Sequence, residues 1–253
     1  MTALLDVRDL HKHFGALAAV AGVSVAVAER EVVGVIGSNG AGKTTFVNMV
    51  TGYLPPSRGT ITFRGRDITG RPPRQVTGLG IARSFQVPQV FASASVLDNL
   101  LVAIGIAEEG RLPIWTPLRR RQRVARALAT LESYGIAGYA SQPASLLPQG
   151  VRKLLDIAMA TVRGPELLLL DEPTSGISVG EKFAIMDTIM AALRAQRTTV
   201  LFIEHDMEIV DRYAERVIAF ADGVIIADGP PQAVIDDPEV RRLVVGERVK
   251  VAE

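Results

Sequence analysis

No cysteine occurs in the 253 residues, which excludes a disulfide framework and thiolate metal sites and fits a reducing compartment. Charge of either sign is not in excess, since 28 Lys and Arg stand against 27 Asp and Glu for a formal net charge of +1. A chain without an overall field is not marked as a nucleic-acid binder, and any basic partner surface must be local. The apolar stretches are broken by charges or glycines before about 18 residues have run together, so no membrane-spanning helix is expected. Any membrane role comes through a partner. The opening MTALLDVRDL carries Asp6, Arg8 and Asp9 and lacks the apolar stretch and small-residue site of a secretory signal. Internal repeats, low-complexity tracts and Ser- or Gly-rich linkers are missing too. With 48% hydrophobic and 22% charged residues, the chain is expected to fold throughout.

The signals that are present are period and punctuation. Val23, Val25 and Val27 alternate, and an apolar run follows over 32–36, the patterns of an amphipathic strand and of one buried on both faces. The second runs directly into a glycine loop. After it, 43–51 has the pattern of a helix stopped by Gly52, followed by a Pro55-Pro56 turn and short strands over 60–63 and 81–85. From about Pro88 to Arg163 strand signals nearly vanish, and helices are expected near 96–107, 118–134 and 151–162. Alternation then returns, with strands over 167–170 and 199–203 around a helix at 180–195, then a short helix and strands near 217–220 and 224–227. A helical block thus interrupts an α/β core. The expected organisation is one domain over 1–253, with its core from 1–87 and 164–253, a helical part over about 88–163 and a tail over about 236–253.

Strand, loop, helix is the order of a phosphate-binding loop. Gly37, Ser38, Asn39, Gly40, Ala41, Gly42, Lys43, Thr44 and Thr45 read GSNGAGKTT. Amides at the start of a helix wrap a β-phosphate, the lysine adds a point charge at the β/γ-phosphates, and the Thr44 hydroxyl is a magnesium ligand. ATP with Mg2+ is therefore the expected pair. The run LLLLD ends in Asp171, a carboxylate at the end of a strand where open α/β sheets bind ligands, and it is expected to bind magnesium, through water. Glu172 beside it is placed to orient or deprotonate the attacking water. The strand over 199–203 ends in Glu204, His205 and Asp206, which sets His205 at the same sheet edge, to bond the γ-phosphate or the water. Gln86, at the junction with the helical block, is expected to sense magnesium or water through its amide. Phe14 is either a stacking platform for adenine or a core residue.

In this order and spacing, GSNGAGKTT, Gln86, LLLLDEP and His205 resemble the ATP-binding subunits of ABC transporters over nearly the whole chain. The resemblance implies an α/β P-loop NTPase core of ABC ATPase type, with an antiparallel β subdomain and an inserted α-helical subdomain. It makes these motifs the Walker A loop, Q-loop, Walker B strand with its catalytic glutamate, and switch histidine of an ATP hydrolase coupled to transport. It also implies a sandwich dimer, in which each ATP lies between one subunit's phosphate loop and the other's signature motif. The place implied is the cytoplasmic side of the bacterial inner membrane, peripherally bound. Where the family usually has something like LSGGQ, this sequence reads LLPQGVRK. Pro148 removes a serine hydroxyl and Val151 replaces the usual glutamine, which leaves Pro148, Gln149 and Gly150 to meet the partner's ATP. Arg152 and Lys153 fall in the next helix's first turn. They are expected either to offset the lost contacts by facing that anion or to be exposed surface charge. Ser178 stands where an aspartate or asparagine is usual. Two departures at one interface suggest unequal ATP sites, and hence a heterodimer rather than a homodimer.

GIARSFQ, DNLLVA, the proline in the signature and the tail DDPEVRRLVVGE look like the branched-chain amino-acid type importers. That resemblance implies a second ABC ATPase subunit, two transmembrane permease subunits and an external substrate-binding protein, with no nucleic acid. The cargo implied is branched-chain or other hydrophobic or aromatic amino acids, or related carboxylic acids. Two rival readings are a soluble ABC-type ATPase acting on DNA or ribosomes, and a nucleotide-gated subunit with little turnover. Glu172 argues against the second. The basic cluster Arg119, Arg120, Arg121, Arg123 and Arg126 is expected to be either a contact to anionic lipid headgroups or a solvated helix face.

Overall fold

The computed structural model of the chain describes residues 3–110 and 117–245. The strands β1 (Leu5–Phe14) and β2 (Leu17–Val27) form a hairpin, followed by the fully buried β3 (Val32–Gly37) and the helix α1 (Lys43–Val50). Strands β4 (Arg58–Phe63) and β5 (Arg66–Asp67), a short α2 (Pro73–Gly78) and β6 (Ile81–Ser84) lead to three longer helices, α3 (Val96–Glu109), α4 (Arg121–Ser133) and α5 (Gln149–Thr161). Then come β7 (Leu167–Asp171), α6 (Val179–Ala195), β8 (Thr199–Ile203), α7 (Met207–Tyr213), β9 (Arg216–Ala221), β10 (Val224–Gly229), α8 (Pro231–Ile235) and α9 (Pro238–Val240). No helix among the described residues is long and apolar enough to cross a membrane. Residues 246–253 of the expected tail lie outside the described residues.

Two sheets result. One is antiparallel, in the order β2-β1-β4-β5; the other has the order β10-β9-β3-β8-β7-β6 and is parallel apart from β10. The central strands of the second are apolar on both faces, as parallel strands covered on both sides must be. Alternation then assigns each residue to one of two cores. Val33, Val35, Leu169, Leu201 and Ile203 pack with Phe46, Val47 and Met49 of α1 and with the antiparallel sheet. Val32, Ile36, Leu170, Val200 and Phe202 pack with the helices, against residues such as Leu155 and Ile189. In register, β8 sets Ile203 beside both Val35 and Asp171, so the residues that follow β3, β7 and β8 emerge together at one edge.

Several local features depart from the sequence expectations, the short β5, α8 and α9 among them. β1 was not expected as a strand, and its pairing with β2 slips between Val7 and Leu10, Leu10 and His11, and Lys12 and His13, with Asp9 at φ 48°. Each bulge shifts the period by one residue, so no clean alternation marks the strand. α2 is six residues between prolines and glycines, too short to show a helical period. α5 begins at Gln149 rather than Val151, with Pro148 extended at its N-cap, so Gln149 and Gly150 are helical.

Asn99 is one of the side chains that hold the strandless segment before α3. Asn99 is fully buried; its Nδ2 donates to the carbonyls of Phe91 at 3.1 Å and Ser95 at 3.0 Å, and its Oδ1 accepts from the Phe91 amide at 2.8 Å. Asn99→Ala strands these backbone groups in a dry site and is expected to cost roughly 2 kcal/mol. Urea unfolding checks the value, and unchanged nucleotide affinity should accompany it.

Candidate ATP site

Between β3 and α1 the backbone turns through conformations that favour glycine, with Gly40 at φ 82° and Gly42 at φ 99°. A Cβ at Gly42 would lie 2.4 Å from the Ala19 carbonyl oxygen of β2, so the loop is pressed against that strand. α1 starts without an acidic residue in its first turn or a side-chain cap, which leaves its amides for an anion. Lys43 is buried and folds back, donating to the carbonyls of Gly37 at 2.6 Å and Ser38 at 2.9 Å. Burial pushes its ammonium below the ordinary lysine value, and the carboxylates of Glu172 and Asp171 pull it back up.

Glu172 adopts φ 46°, a left-handed conformation that costs a non-glycine residue of order 1–3 kcal/mol and that clusters at functional sites. Its amide donates to Ile203 at 3.0 Å. One carboxylate oxygen accepts from Gln86 Nε2 at 2.7 Å, and the other lies 3.2 Å from His205 Nε2. A cavity of about 140 Å³ is lined by Asn39, Gly40, Ala41, Gly42, Lys43, Thr44 and Thr45 together with Glu172, Ile203 and His205. Asp171 is buried behind it, with Oδ2 2.7 Å from Arg83 Nη2. Phe14 is 51% exposed, with the Lys12 ammonium 5.4 Å from its ring centre. Its core alternative is therefore excluded.

Four buried charged residues fasten the site, and the sequence had singled out neither Asp156 nor Arg83. Lys153 Nζ donates to the carbonyls of Phe85 at 2.8 Å, Gln86 at 3.2 Å and Asp171 at 3.4 Å. Asp156 accepts from the Ser84 hydroxyl at 2.6 Å and the Gln89 amide at 2.7 Å. The Gln86 loop is thus tied to α5 on both sides. Glu204 accepts from the Thr174 amide and hydroxyl and from the His205 amide, joining the segment after β7 to that after β8. Arg83 is the fourth. For Asp156 and Arg83 the only sequence signal was a charge inside an otherwise apolar period.

Lys153 therefore corrects both expectations made for it: it is neither exposed nor turned toward a partner's phosphate. Arg152 is likewise engaged within the chain, donating to the carbonyls of Ser145 and Leu147 at 3.2 Å. Pro148 and Gln149 are exposed, and Gly150 packs on Ile185. Ser178 is the N-cap of α6 and its hydroxyl bonds Glu181 at 2.7 Å. In the basic cluster Arg123 is buried, while Arg119, Arg120, Arg121 and Arg126 are exposed. Arg119 pairs with Asp98, and Arg123 and Arg126 pair with Glu108.

The donors expected for magnesium are the Thr44 hydroxyl, the Asp171 carboxylate and the Gln86 amide. No group of three His, Cys, Asp or Glu that could hold a metal occurs among the described residues. An all-oxygen set with one carboxylate fits Mg2+, which keeps several waters and draws further ligands from substrate phosphates.

A phosphate loop, a strand-end carboxylate pair and a histidine on one edge of a parallel sheet define a P-loop nucleoside-triphosphatase site. The chain belongs to the ABC transporter family, whose profile matches residues 20–175. It is 38% identical over 250 residues to the high-affinity branched-chain amino acid transport ATP-binding protein LivG of Salmonella typhimurium, covering 96% of this chain and 98% of that one. With the protein of the same name from Escherichia coli it shares 36% over the same lengths. A crystal structure of an ATP-binding cassette of an ABC transporter in its ADP conformation matches with a TM-score of 0.87 at 31% identity, covering 98% of this chain and all of that one. The fold is that of the ABC ATPases, and the chain is an ATP hydrolase of that type.

Glu172→Gln keeps the shape and the Gln86 and His205 neighbours but removes the carboxylate that the sequence marks as the expected base. ATPase activity of the assembled transporter is expected to fall by about 100-fold or more while nucleotide affinity is kept; phosphate release and equilibrium binding measure the two.

Proposed function

We propose that this chain powers an importer of branched-chain or other hydrophobic or aromatic amino acids, or related carboxylic acids, with Glu172 as the general base for ATP hydrolysis. The observation that carries this reading is the Glu172 carboxylate, held by Gln86 and His205 in the cavity that the phosphate loop lines. The amides from Asn39 to Thr44 take the phosphates, and Lys43 exchanges its two carbonyls for β/γ-oxygens. Thr44, Asp171 and Gln86 hold Mg2+, which when bound neutralises charge on the β- and γ-phosphates. Phe14 stacks on the adenine. Gln86 donates to Glu172 through Nε2 and keeps Oε1 for the metal, so its one amide links the base to the metal site.

The Gln86 loop connects the site to a second feature. An apolar groove of about 450 Å³ opens between the core and the helical part over 88–163, lined by Tyr53, Phe85, Phe91, Val102, Ile106 and Met159 among others. Tyr53, Phe91 and Ile106 are exposed on it, as suits a protein partner. We assign it to a cytoplasmic segment of a permease subunit. Lys153 and Asp156 would make the Gln86 loop follow α5 when that segment moves.

Completion of the ATP site needs a second ATPase subunit. Leu146 and Val179, 72% and 76% exposed, flank Pro148 and Ser178 and suit such an interface. The altered signature favours a heterodimer, in which this chain hydrolyses at its own loop and offers its partner weaker contacts. An external substrate-binding protein completes the importer, on whose cytoplasmic side at the bacterial inner membrane this chain sits, with no nucleic acid involved. The near-complete coverage of transport subunits disfavours an enzyme of DNA or ribosomes, and Glu172 disfavours a subunit without turnover.

Two measurements test this reading. Phe91→Glu with Ile106→Glu is expected to abolish co-purification with the permease subunits without changing nucleotide affinity; retained co-purification would remove the groove from the interface. Cells carrying Glu172→Gln should lose uptake of leucine, isoleucine, valine or phenylalanine, and full uptake of all four would refute these amino acids as the cargo.

A further inference from the structure

Arg83, the fourth of the charged residues that fasten the site, holds two side-chain acceptors at once. Its side chain is 6% exposed. One nitrogen, Nη2, donates to Asp171 Oδ2 at 2.7 Å, and the other, Nη1, donates to Asn48 Oδ1 at 2.5 Å. The guanidinium carbon lies 4.7 Å from the Phe85 ring centre and 5.9 Å from that of Tyr53. Nε is buried without a partner, an arrangement that costs stability and that an apolar side chain in a purely packing role would avoid.

The geometry points to Arg83 as a positioning residue for the metal, holding the two donors Asp171 and Thr44 in fixed relation. Asn48 follows Thr44 by four residues on α1 and so lies on the same helix face, one turn along. Arg83 therefore ties Asp171 to the turn below Thr44 with a single rigid fork. By occupying Oδ2 it also leaves Oδ1 without a hydrogen-bond partner among the described residues, on a carboxylate close enough to act on Lys43. Lysine cannot substitute fully, because one ammonium on a flexible stem does not hold two separate acceptors in a fixed fork.

This inference rests on the assignment of Asp171 and Thr44 to Mg2+, and the two can be tested apart. Binding of a fluorescent ATP analogue to the full-length chain is measured across a Mg2+ titration and in EDTA, with urea unfolding as the control for folding. Arg83→Gln is expected to raise the half-saturating Mg2+ concentration by roughly tenfold or more, with affinity in EDTA unchanged, and Arg83→Lys to recover part of the shift. Asn48→Ala, which removes the second anchor and leaves the arginine, is expected to give a smaller shift in the same direction, and it serves if Arg83→Gln does not fold. An equal loss of affinity with and without Mg2+ would mark Arg83 as merely structural. A Mg2+ requirement that is unchanged or lowered in Arg83→Gln, while Asp171→Asn abolishes it, overturns the positioning role alone. A Mg2+ requirement that survives in Asp171→Asn overturns the metal assignment and this role with it.

Discussion

The chemistry of this chain depends on the parallel pairing of β3 with β8 and of β8 with β7. Because Ile203 stands beside both Val35 and Asp171, three chain segments far apart in sequence leave the sheet at one level. The first supplies the phosphate loop, the second Glu172 and the third His205. A slip of one residue in either pairing would turn the apolar side chains of that strand to the opposite faces and into the wrong cores. Burial on both sides of the sheet therefore sets the spacing of the reacting groups as well as the stability of the fold.

Around this edge, buried charges do work that regular secondary structure does elsewhere. Burial pushes Lys153 down from its ordinary value, while Asp156, Asp171, Glu204 and Glu172 pull it back up. Asp156 is pushed up by burial, against its bonds to Ser84 and Gln89 and the charge of Lys153. These groups stay in a dry interior because carbonyls, amides and each other satisfy them. The loop carrying Gln86 has no ladder of its own, and Lys153 and Asp156 attach it to α5. Glu204 does the same for the segments after β7 and β8, and Arg83 for β7 and α1.

The same logic explains why the altered signature remains compatible with a working loop. Losing a serine and a glutamine at Pro148 and Val151 changes what the helix start offers outward. The inward face of α5 stays committed, with Lys153 and Asp156 on it and Leu155 and Ile157 fully buried. What α5 presents outward at its start can therefore vary while the cluster around Glu172 stays intact.

Much of the function was legible from residue order alone. The phosphate loop, Glu172 and His205 are local motifs, and a strand followed at once by a loop and a helix needs only neighbouring residues to declare itself. Apolar period likewise revealed the central strands, since each is buried on both faces. Three things were hidden because they depend on contacts between distant segments. β1 forms despite broken alternation, since its bulges are accommodated by β2 and β4. Arg152 and Lys153 looked like surface cations at a helix start, and only the packing of α5 on the sheet turned Lys153 to the carbonyls of residues 85, 86 and 171. Arg83 was one charge in a short strand until folding set it between Asn48 and Asp171. Motifs name the candidate groups for a nucleotide because the chemistry requires their spacing along the chain; the groups that hold those motifs in place are chosen by burial, which no spacing encodes.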